Sequence, residues 1–535
     1  MENRGKLELT WVDKYNRKKI EPRILIEDRE KSYGDSNASN MLIHGDNLLA
    51  LKALQQEFSG KIKCIYIDPP YNTGNAFEYY DDELEHSIWL NMMRDRLELL
   101  KDLLAEDGFI CVHIDNSEGE YLKVLLDEVF GRKNYKVTFY IQVRYPEKTL
   151  KQDMDYHKLI EQVHVYSKSE KSKPNLPKAE YNYDKFEWYI EANEPFKEIT
   201  LGGKKVEIYN DKNYKIKKGS GSINGLKEIW ASGSILDGNS SGRFFRDYLS
   251  GRQEEDGLKI LYKVYGIGDD MNDYRYFTGP KKESASRGKY YQGVPVDNIS
   301  SEKNQKNLPI SNYIDLASYF GNCRHEGGVE FKSGKKPEIL IKMFLELFSN
   351  KGDYILDSFA GSGSTAAVAH KMSRNWITIE LGEHCYTHTL KRLINVINGD
   401  KTGISDVVNW SGGGGFKFYE LSESLMVKDK KLGTYIINPK YSLEMICKAI
   451  CKIEDFTFLP RGHFQGYSSE KRFIHITTNF LNQKYIEMLR NEISEEESLL
   501  VYCTRMQSDM VLPDNIEVKR IPKDLLQKCD FESEE

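Results

Sequence analysis

The stretch KIKCIYIDPPYNTGN, Lys61–Asn75, sets an apolar run of strand length directly before an aspartate, two prolines and a tyrosine. A run of this length with β-branched residues, closed by Pro69, reads as a buried strand. Taken alone, Asp-Pro-Pro after a strand is an ordinary turn, because both residue types favour turns. Its chemistry allows more. A strand-end carboxylate followed by a proline carbonyl can accept both protons of an exocyclic amine. Pro69 and Pro70 have fixed φ and no N–H, so the turn holds its acceptor in place without offering a competing donor. Tyr71 adds a flat face on which a planar base can stack.

The strand–helix rhythm continues on both sides. MLIHGDN, Met41–Asn47, reads as a short strand ending in Gly-Asp, and LLALKALQQEF as a helix. The amphipathic SIWLNMMRDRLELLKDLLAEDG is expected to be a helix capped by Gly108, followed by the strand FICVHI, the helix GEYLKVLLDEVFG and the strand EQVHVYSK. Such alternation predicts a parallel sheet. Between about 169 and 329 the rhythm gives way to polar, Gly- and Tyr-rich sequence, read as an inserted mixed domain. It resumes with the helix KPEILIKMFLELFS, the strand and glycine turn DYILDSFAGSGST, the helix AAVAHKM and the strand NWITIEL; SGGGGFKFYEL reads as a hairpin or linker. RFIHITT, QKYIEMLRNEI, SLLVYC and NIEVKRIP mark a small separate α/β domain at the end. The expected division is 1–168 with 330–420, an insert at 169–329, and an accessory domain at 421–535.

Composition bounds the function. A chain of 535 residues with 39% hydrophobic content builds several cores without disulfides. Its apolar runs are strand-sized, far from the roughly 18 residues of a membrane span, and the N-terminus MENRGKLELTW lacks an apolar signal core, so a cytoplasmic protein is expected. The eight cysteines form no Cys-x-x-Cys pair, and Cys447 and Cys451, one helical turn apart, read as packing. No structural metal is expected. The net charge of −6 does not announce a nucleic-acid binder. Within about 168–330, however, the lysine clusters KSEKSKPNLPK, KNYKIKKGSG and GPKKESASRGK alternate with Tyr181, Tyr183, Trp188, Tyr189 and Tyr290. Aromatics among lysines suit stacking with phosphate contact, although solvated loops have the same composition.

The second chemical motif is DSFAGSGSTA, Asp357–Ala366, which follows a strand and opens a helix. Its glycines permit a tight turn and close approach of a ligand to a helix N-terminus. Gly361, Gly363 and Ala366 fit G-x-G-x-x-A, with Glu380 roughly 20 residues on, where an acid would meet ribose hydroxyls. By itself this is a nucleoside-cofactor site of unspecified kind; a dinucleotide dehydrogenase and a structural glycine turn both remain open. The first motif separates them. An adenine amino nitrogen is a poor nucleophile because its lone pair is delocalised into the ring. Accepting its protons at Asp68 and the Pro69 carbonyl favours a tetrahedral nitrogen that can attack a sulfonium methyl group in line, an arrangement without use in hydride transfer.

Together, DPPY and FAGSG resemble the signatures of the DNA amino-methyltransferases that use S-adenosylmethionine, and their order, DPPY first, resembles the permuted beta class. HGDNLLALKAL, IDPPYNTGN, DGFICVHID, KPEILIKMFLEL, LDSFAGSGSTAAVAH and GGGGFKFYEL look particularly like the modification subunits of type III restriction systems. The resemblance implies a permuted Rossmann-like α/β methyltransferase fold with an inserted target-recognition domain, acting on the N6 amino group of an adenine flipped out of double-stranded DNA. It assigns Asp68, Pro69, Pro70 and Tyr71 to catalysis. For the cofactor it assigns Phe359, Gly361 and Gly363 to the loop, Asp357 beneath the methionine end, Glu380 to the ribose and Asp46 to the adenine, with Lys336 and Pro337 opening the helix that flanks the methionine portion. Ser358 stands where the family often has proline, and Ser364 precedes Thr365; neither removes a needed backbone amide. The resemblance further implies a homodimer and a helicase-nuclease partner. Cytosine-N4 methylation, or a role chiefly in reading DNA within a restriction complex, are the alternatives. His44, His113 and Asp115 have the residue types of catalytic groups, but as strand-end polar residues beside a site they are expected to support it or merely to be exposed; Asn72 and Thr73 are expected to shape the loop over the target base, and Phe77 to pack against it.

Overall fold

The computed structural model describes residues 8–72, 85–147, 156–180, 182–231, 240–285, 287–296, 305–331, 334–431, 433–469 and 471–531. It divides into two compact units, Met1–Asn175 with Ser311–Glu535, and Leu176–Ile310.

Ten strands of the first unit form one sheet: β1 (Leu25–Gly34), β2 (Met41–His44), β3 (Ile62–Ile67), β4 (Leu104–Ile114), β5 (Tyr135–Gln142), β6 (Ile160–Ser167), β7 (Tyr313–Asp315), β8 (Tyr354–Asp357), β9 (Asn375–Glu380) and β10 (Gly415–Leu421). Their order is β1-β10-β2-β9-β8-β3-β4-β6-β5-β7. The run from β10 to β4 is parallel throughout. β6 lies antiparallel to β4 and to β5, and β1 antiparallel to β10. Helices α1 (Asn47–Phe58), α2 (His86–Leu103) and α3 (Gly119–Leu126), then α4 (Glu338–Phe348), α5 (Ser364–Lys371) and α6 (Leu390–Ile397), belong to the same unit. β3 and β8 are buried almost end to end, as strands covered on both faces must be.

α2 shows how the sequence pattern becomes packing. Glu85 caps it by accepting the amides of Ser87 and Ile88, and Trp89, Leu90, Met93, Leu97 and Leu100 recur at helical spacing on its buried face. The helix stops at Leu103, so Gly108 is not its cap; it lies inside β4. A side chain there would meet the Ile62 carbonyl at 3.0 Å and Leu104 Cδ1 at 2.9 Å, so the glycine serves strand pairing. The glycine run at 412–415 likewise feeds β10, a strand of the main sheet, rather than a hairpin or linker.

The chain leaves β3 through α2 to β4 on one side, and β8 through α5 to β9 on the other. β3 and β8 are therefore the point where the winding diverges, and the crevice beyond their carboxyl ends is where open α/β sheets bind ligands. Asp68 and Asp357 stand at that point.

The second unit is built on a six-stranded antiparallel sheet, ordered Lys227–Trp230, Lys289–Gln292, Tyr274–Thr278, Leu261–Tyr265, Lys204–Tyr209, Lys197–Leu201. Val206, Ile208, Val264, Phe277 and Phe245 form its core. Its limits are narrower than the 169–329 expected from composition. Asn175 donates from its backbone to the Leu347 carbonyl at 2.7 Å, and β7 pairs with β5, so both flanks belong to the first unit.

Beyond β10 a five-stranded sheet, Thr457–Arg461, Phe464–Ser469, Arg472–Leu481, Ser498–Met506 and Ile516–Arg520, packs with helices α7 (Leu443–Ile453) and α8 (Gln483–Arg490). It has its own core yet lies in the first compact unit: Gln56 donates to the Phe456 carbonyl at 2.9 Å and Lys452 to that of Ala53 at 2.8 Å. All eight cysteines are buried and free. Among the described residues no helix is long and apolar enough to cross a membrane.

Candidate active site

Parallel strands that end on one edge bring their terminal residues together, and here nearly every one delivers an acid. Asp46 follows β2, Asp68 follows β3, Asp115 follows β4, and Asp357 and Glu380 close β8 and β9. β6 runs the other way, so its second residue, Glu161, reaches the same edge.

Lys336 joins Asp68 to Glu161, where Tyr71 and His113 also meet. The Lys336 ammonium lies 2.8 Å from Asp68 Oδ2, 3.9 Å from Glu161 Oε2 and 4.9 Å from the centre of the Tyr71 ring. Tyr71 donates its hydroxyl to Glu161 Oε2 at 3.1 Å. His113, fully buried, places Nε2 2.9 Å from the same oxygen, at an angle short of a hydrogen bond, and Nδ1 2.9 Å from the Tyr66 hydroxyl. Asp68 Oδ1 is buried and has no hydrogen-bond partner among the described residues. Burial alone would push Glu161 up, but Lys336, His113 and Tyr71 hold its carboxyl down at about 2. Burial works against the Lys336 ammonium too, and Asp68 and Glu161 more than reverse it. Burial, then Asp68 and Glu161, keep the Tyr71 phenol protonated. The cluster thus carries two carboxylates on one ammonium, with the buried Asp68 Oδ1 left to accept a proton donor.

The turn itself is pinned. Trp89 Nε1 donates to the Pro70 carbonyl at 2.9 Å, and Asn72, at φ +56°, donates to Glu118 Oε1 at 2.8 Å, an oxygen 2.9 Å from His86 Nδ1. Thr73 and Phe77 lie outside the described residues.

On the other half of the crevice, Gly361 and Gly363 take φ +53° and +75°. A Cβ at Gly363 would sit 2.9 Å from Thr389 Cγ2, and Thr389 itself donates to the Gly361 carbonyl at 2.7 Å. Gly363→Ala should therefore cost about 1–2 kcal/mol for the left-handed backbone alone, seen as a lowered melting temperature of the ligand-free chain. Glu380 organises this loop: Oε2 accepts the Gly361 amide at 2.7 Å, and Oε1 accepts those of Leu381 and Gly382 at 2.9 and 3.0 Å and lies 3.0 Å from His384 Nε2. Phe359 is half-buried against the main core, and its amide bonds Asp357 Oδ1 at 2.9 Å. Asp46 caps α1 through the Leu49 amide and pairs with Arg96 at 3.1 Å. His44 pairs with Glu420, and Asp115 accepts the Ser117 amide.

Asp357 is the anomalous acid. Burial, against hydrogen bonds from Thr365 and the Phe359 amide and with Asp68 and Glu380 nearby, raises it to about 7. A folded-state value above the unfolded one, ordinarily near 4, means that the fold keeps a proton which the unfolded chain has lost between those pH values. Stability from this group is fully present below about 4 and falls as pH rises towards 7, by up to roughly 4 kcal/mol at about 1.4 kcal/mol per unit. Asp357→Asn should flatten that fall. Urea unfolding of both chains at pH 5 and pH 8 measures it.

The structure thus gathers Asp68, Tyr71, Lys336 and Asp357 at one crevice, with Gly361, Gly363 and Glu380 building its loop wall. Lys336, expected beside a cofactor's methionine end, has its ammonium on Asp68. Glu161 and Trp89 went unrecognised in the sequence. Glu161 sits at the start of an ordinary apolar strand, and only the reversed direction of β6 makes it part of the site.

The sequence of the chain is similar to those of known proteins. A family model for DNA methylase covers residues 62–391, both motifs and the segment between them. The chain is 33% identical over 413 residues to the probable type III restriction-modification enzyme HindVI Mod subunit of Haemophilus influenzae, covering 72% of this chain and 54% of that protein. It is 27% identical to the StyLTI Mod subunit of Salmonella typhimurium, covering 62% of this chain and 50% of that protein. It is 26% identical to the EcoPI Mod subunit of Escherichia phage P1, covering 70% and 63%. The chain therefore spans between half and just under two thirds of these relatives. With the family model spanning more than half its length and both motifs at one crevice, the chain belongs to the DNA methylase family.

Proposed function

We propose that this chain transfers a methyl group from S-adenosylmethionine to the N6 amino group of an adenine flipped out of double-stranded DNA. The observation that carries the reading is the Asp68 carboxylate, with Oδ2 held by Lys336 and Oδ1 buried without a partner, at the point where the sheet's winding diverges. An orphaned buried acceptor is costly unless a donor arrives, and an exocyclic amine is such a donor.

The crevice suits a cationic nucleoside cofactor. Asp357 becomes a carboxylate facing the crevice once it gives up its proton, and the left-handed glycines let backbone approach a ligand closely. Residues to hold it are Phe359, Gly361, Gly363, Asp357, Glu380 and Asp46. S-adenosylmethionine supplies an electrophilic methyl group on a sulfonium centre. The protein's own work lies on the amine: Asp68 Oδ1 and the Pro69 carbonyl accept its protons and localise the nitrogen lone pair, Tyr71 stacks against the base on the face opposite Lys336, and Asp68 is the acceptor for the proton the nitrogen must lose. Base–aromatic stacking contributes on the order of 1–3 kcal/mol, which helps offset the few kcal/mol that flipping costs. A cation bound beside Asp357 would draw off its proton, so cofactor binding near pH 6.5 should release protons, read from calorimetry in buffers of different ionisation heat.

The second unit is assigned to target reading. Lys263 lies 4.0 Å from the centre of the Tyr274 ring, a pair suited to phosphate contact with stacking, and Trp230 is 61% exposed, with Lys289, itself paired with Glu228 at 2.6 Å, 4.7 Å from its ring centre. Because its relatives carry the name of modification subunits, we assign the chain the same place in a restriction-modification system, as a homodimer served by a separate helicase-nuclease subunit. Sequencing that detects modified bases, on DNA from cells expressing the chain and from vector controls, tests the reading. N6-methyladenine at one recurrent sequence is expected; N4-methylcytosine would replace the base, and unmodified DNA would overturn the activity.

A further inference from the structure

A cleft of about 750 Å³ opens between the segment Lys18–Pro22, the C-terminal half of α1, the end of α7 and Lys528–Cys529. α1 begins at the carboxylate edge and runs away from it, so this cleft lies towards the opposite edge of the sheet, outside the site described above. Among the described residues its walls carry five lysines, Lys18, Lys19, Lys52, Lys452 and Lys528, against one acid, Asp455.

The pairing of those lysines is unusual. Lys528 is neutralised by Glu454 at 3.0 Å, which also holds Lys519. Lys19 donates its ammonium to the Gln527 carbonyl at 3.2 Å, Lys52 to Gln55 Oε1 at 2.8 Å and Lys452 to the Ala53 carbonyl at 2.8 Å, all neutral acceptors. Two further described acids stand near without an ion pair to these ammonium groups: Asp530 accepts the Lys19 backbone amide at 2.7 Å, and Glu57 acts on the half-buried Lys452 only through space. Lys19, Lys52 and Lys452, which share one concave wall and have no ion-pair partner among the described residues, repel one another and focus positive potential into the cleft. Among the described residues no aromatic ring lines it, so they offer charge and hydrogen-bond donors but no surface for stacking a base.

We propose that this cleft binds a ligand bearing two or three adjacent phosphates, recognised through the phosphates alone. The volume suits a nucleotide-sized anion. The same chemistry has two sources, a free oligophosphate or nucleotide and a stretch of nucleic-acid backbone.

Calorimetry on the full chain in low salt, with sodium tripolyphosphate as the probe, tests the site. One saturable site is expected, ATP should bind no more than a few-fold differently, and adenosine should not bind. Lys19→Gln/Lys52→Gln, at exposed and half-exposed positions, should keep the circular dichroism spectrum and weaken tripolyphosphate at least tenfold; Lys19→Gln/Lys452→Gln serves equally should the first pair disturb folding. Displacement of tripolyphosphate by a short DNA duplex would name the backbone as the source, and its retention would name a free oligophosphate. Absence of saturable binding, or binding unchanged in both double variants that remain folded, would overturn the proposal.

Discussion

Asp68→Ala is expected to leave the fold and cofactor binding intact while lowering methyl transfer by at least a hundredfold to a thousandfold. The scale is that of removing one preorganised polar group that acts on the reacting atoms, about 3–4 kcal/mol. The fold should survive because the cluster holds two carboxylates on one ammonium. Without Asp68, Lys336 still has Glu161 at 3.9 Å, and the charge comes closer to balance. Asp68→Asn, which keeps one acceptor oxygen but no charge, should fall between the two. Calorimetry with S-adenosylmethionine and a tritiated-methyl transfer assay on DNA from the unmodified host separate binding from chemistry. Robust transfer by Asp68→Ala would remove the mechanism.

Lys336→Met should be the most damaging change to stability at the site. It strands Asp68 and Glu161 as uncompensated acids in a buried setting, where breaking such a pair costs about 3–5 kcal/mol. Glu161→Gln leaves a one-to-one pair of Lys336 with Asp68 and should cost much less. The double variant should be more stable than Lys336→Met alone, because the second change removes one of the stranded charges; the two effects share a partner and cannot add. In transfer assays Glu161→Gln should lower kcat more than it raises KM for the cofactor, since Glu161 reaches Asp68 only through Lys336 and Tyr71. Denaturant midpoints of the four chains make the cycle. An additive result would mean that Lys336 does not bridge the two acids.

Much of this site is local in sequence and so was legible there. The strand before Asp-Pro-Pro-Tyr is a contiguous apolar run, and the glycine loop before α5 is set by residues within a few positions of one another. Their backbone conformations follow from proline's fixed φ and glycine's freedom. The accompanying elements were less readable where local pattern and tertiary role part company. β1, Leu25–Gly34, is polar along most of its length, with half-buried and exposed residues only, because an edge strand has one flank and much of both faces in water. β10 follows a run of glycines that reads as a linker, yet its residues pair on both sides, with β1 and β2. Gly108 has the look of a helix stop and is instead where two strands approach too closely for a side chain.

The sequence by itself determined the two motifs, the strand–helix alternation and the family. The tertiary structure alone decided which charges meet. Glu161, Lys336 and Asp68 come from distant parts of the chain, and their ammonium and carboxylates lie within 4 Å only because β6 runs antiparallel beside β4, while α4 begins at the same edge. Electrostatic coupling depends on distance and burial through space; strand order and direction set both, and these are settled by how the sheet as a whole buries its apolar faces.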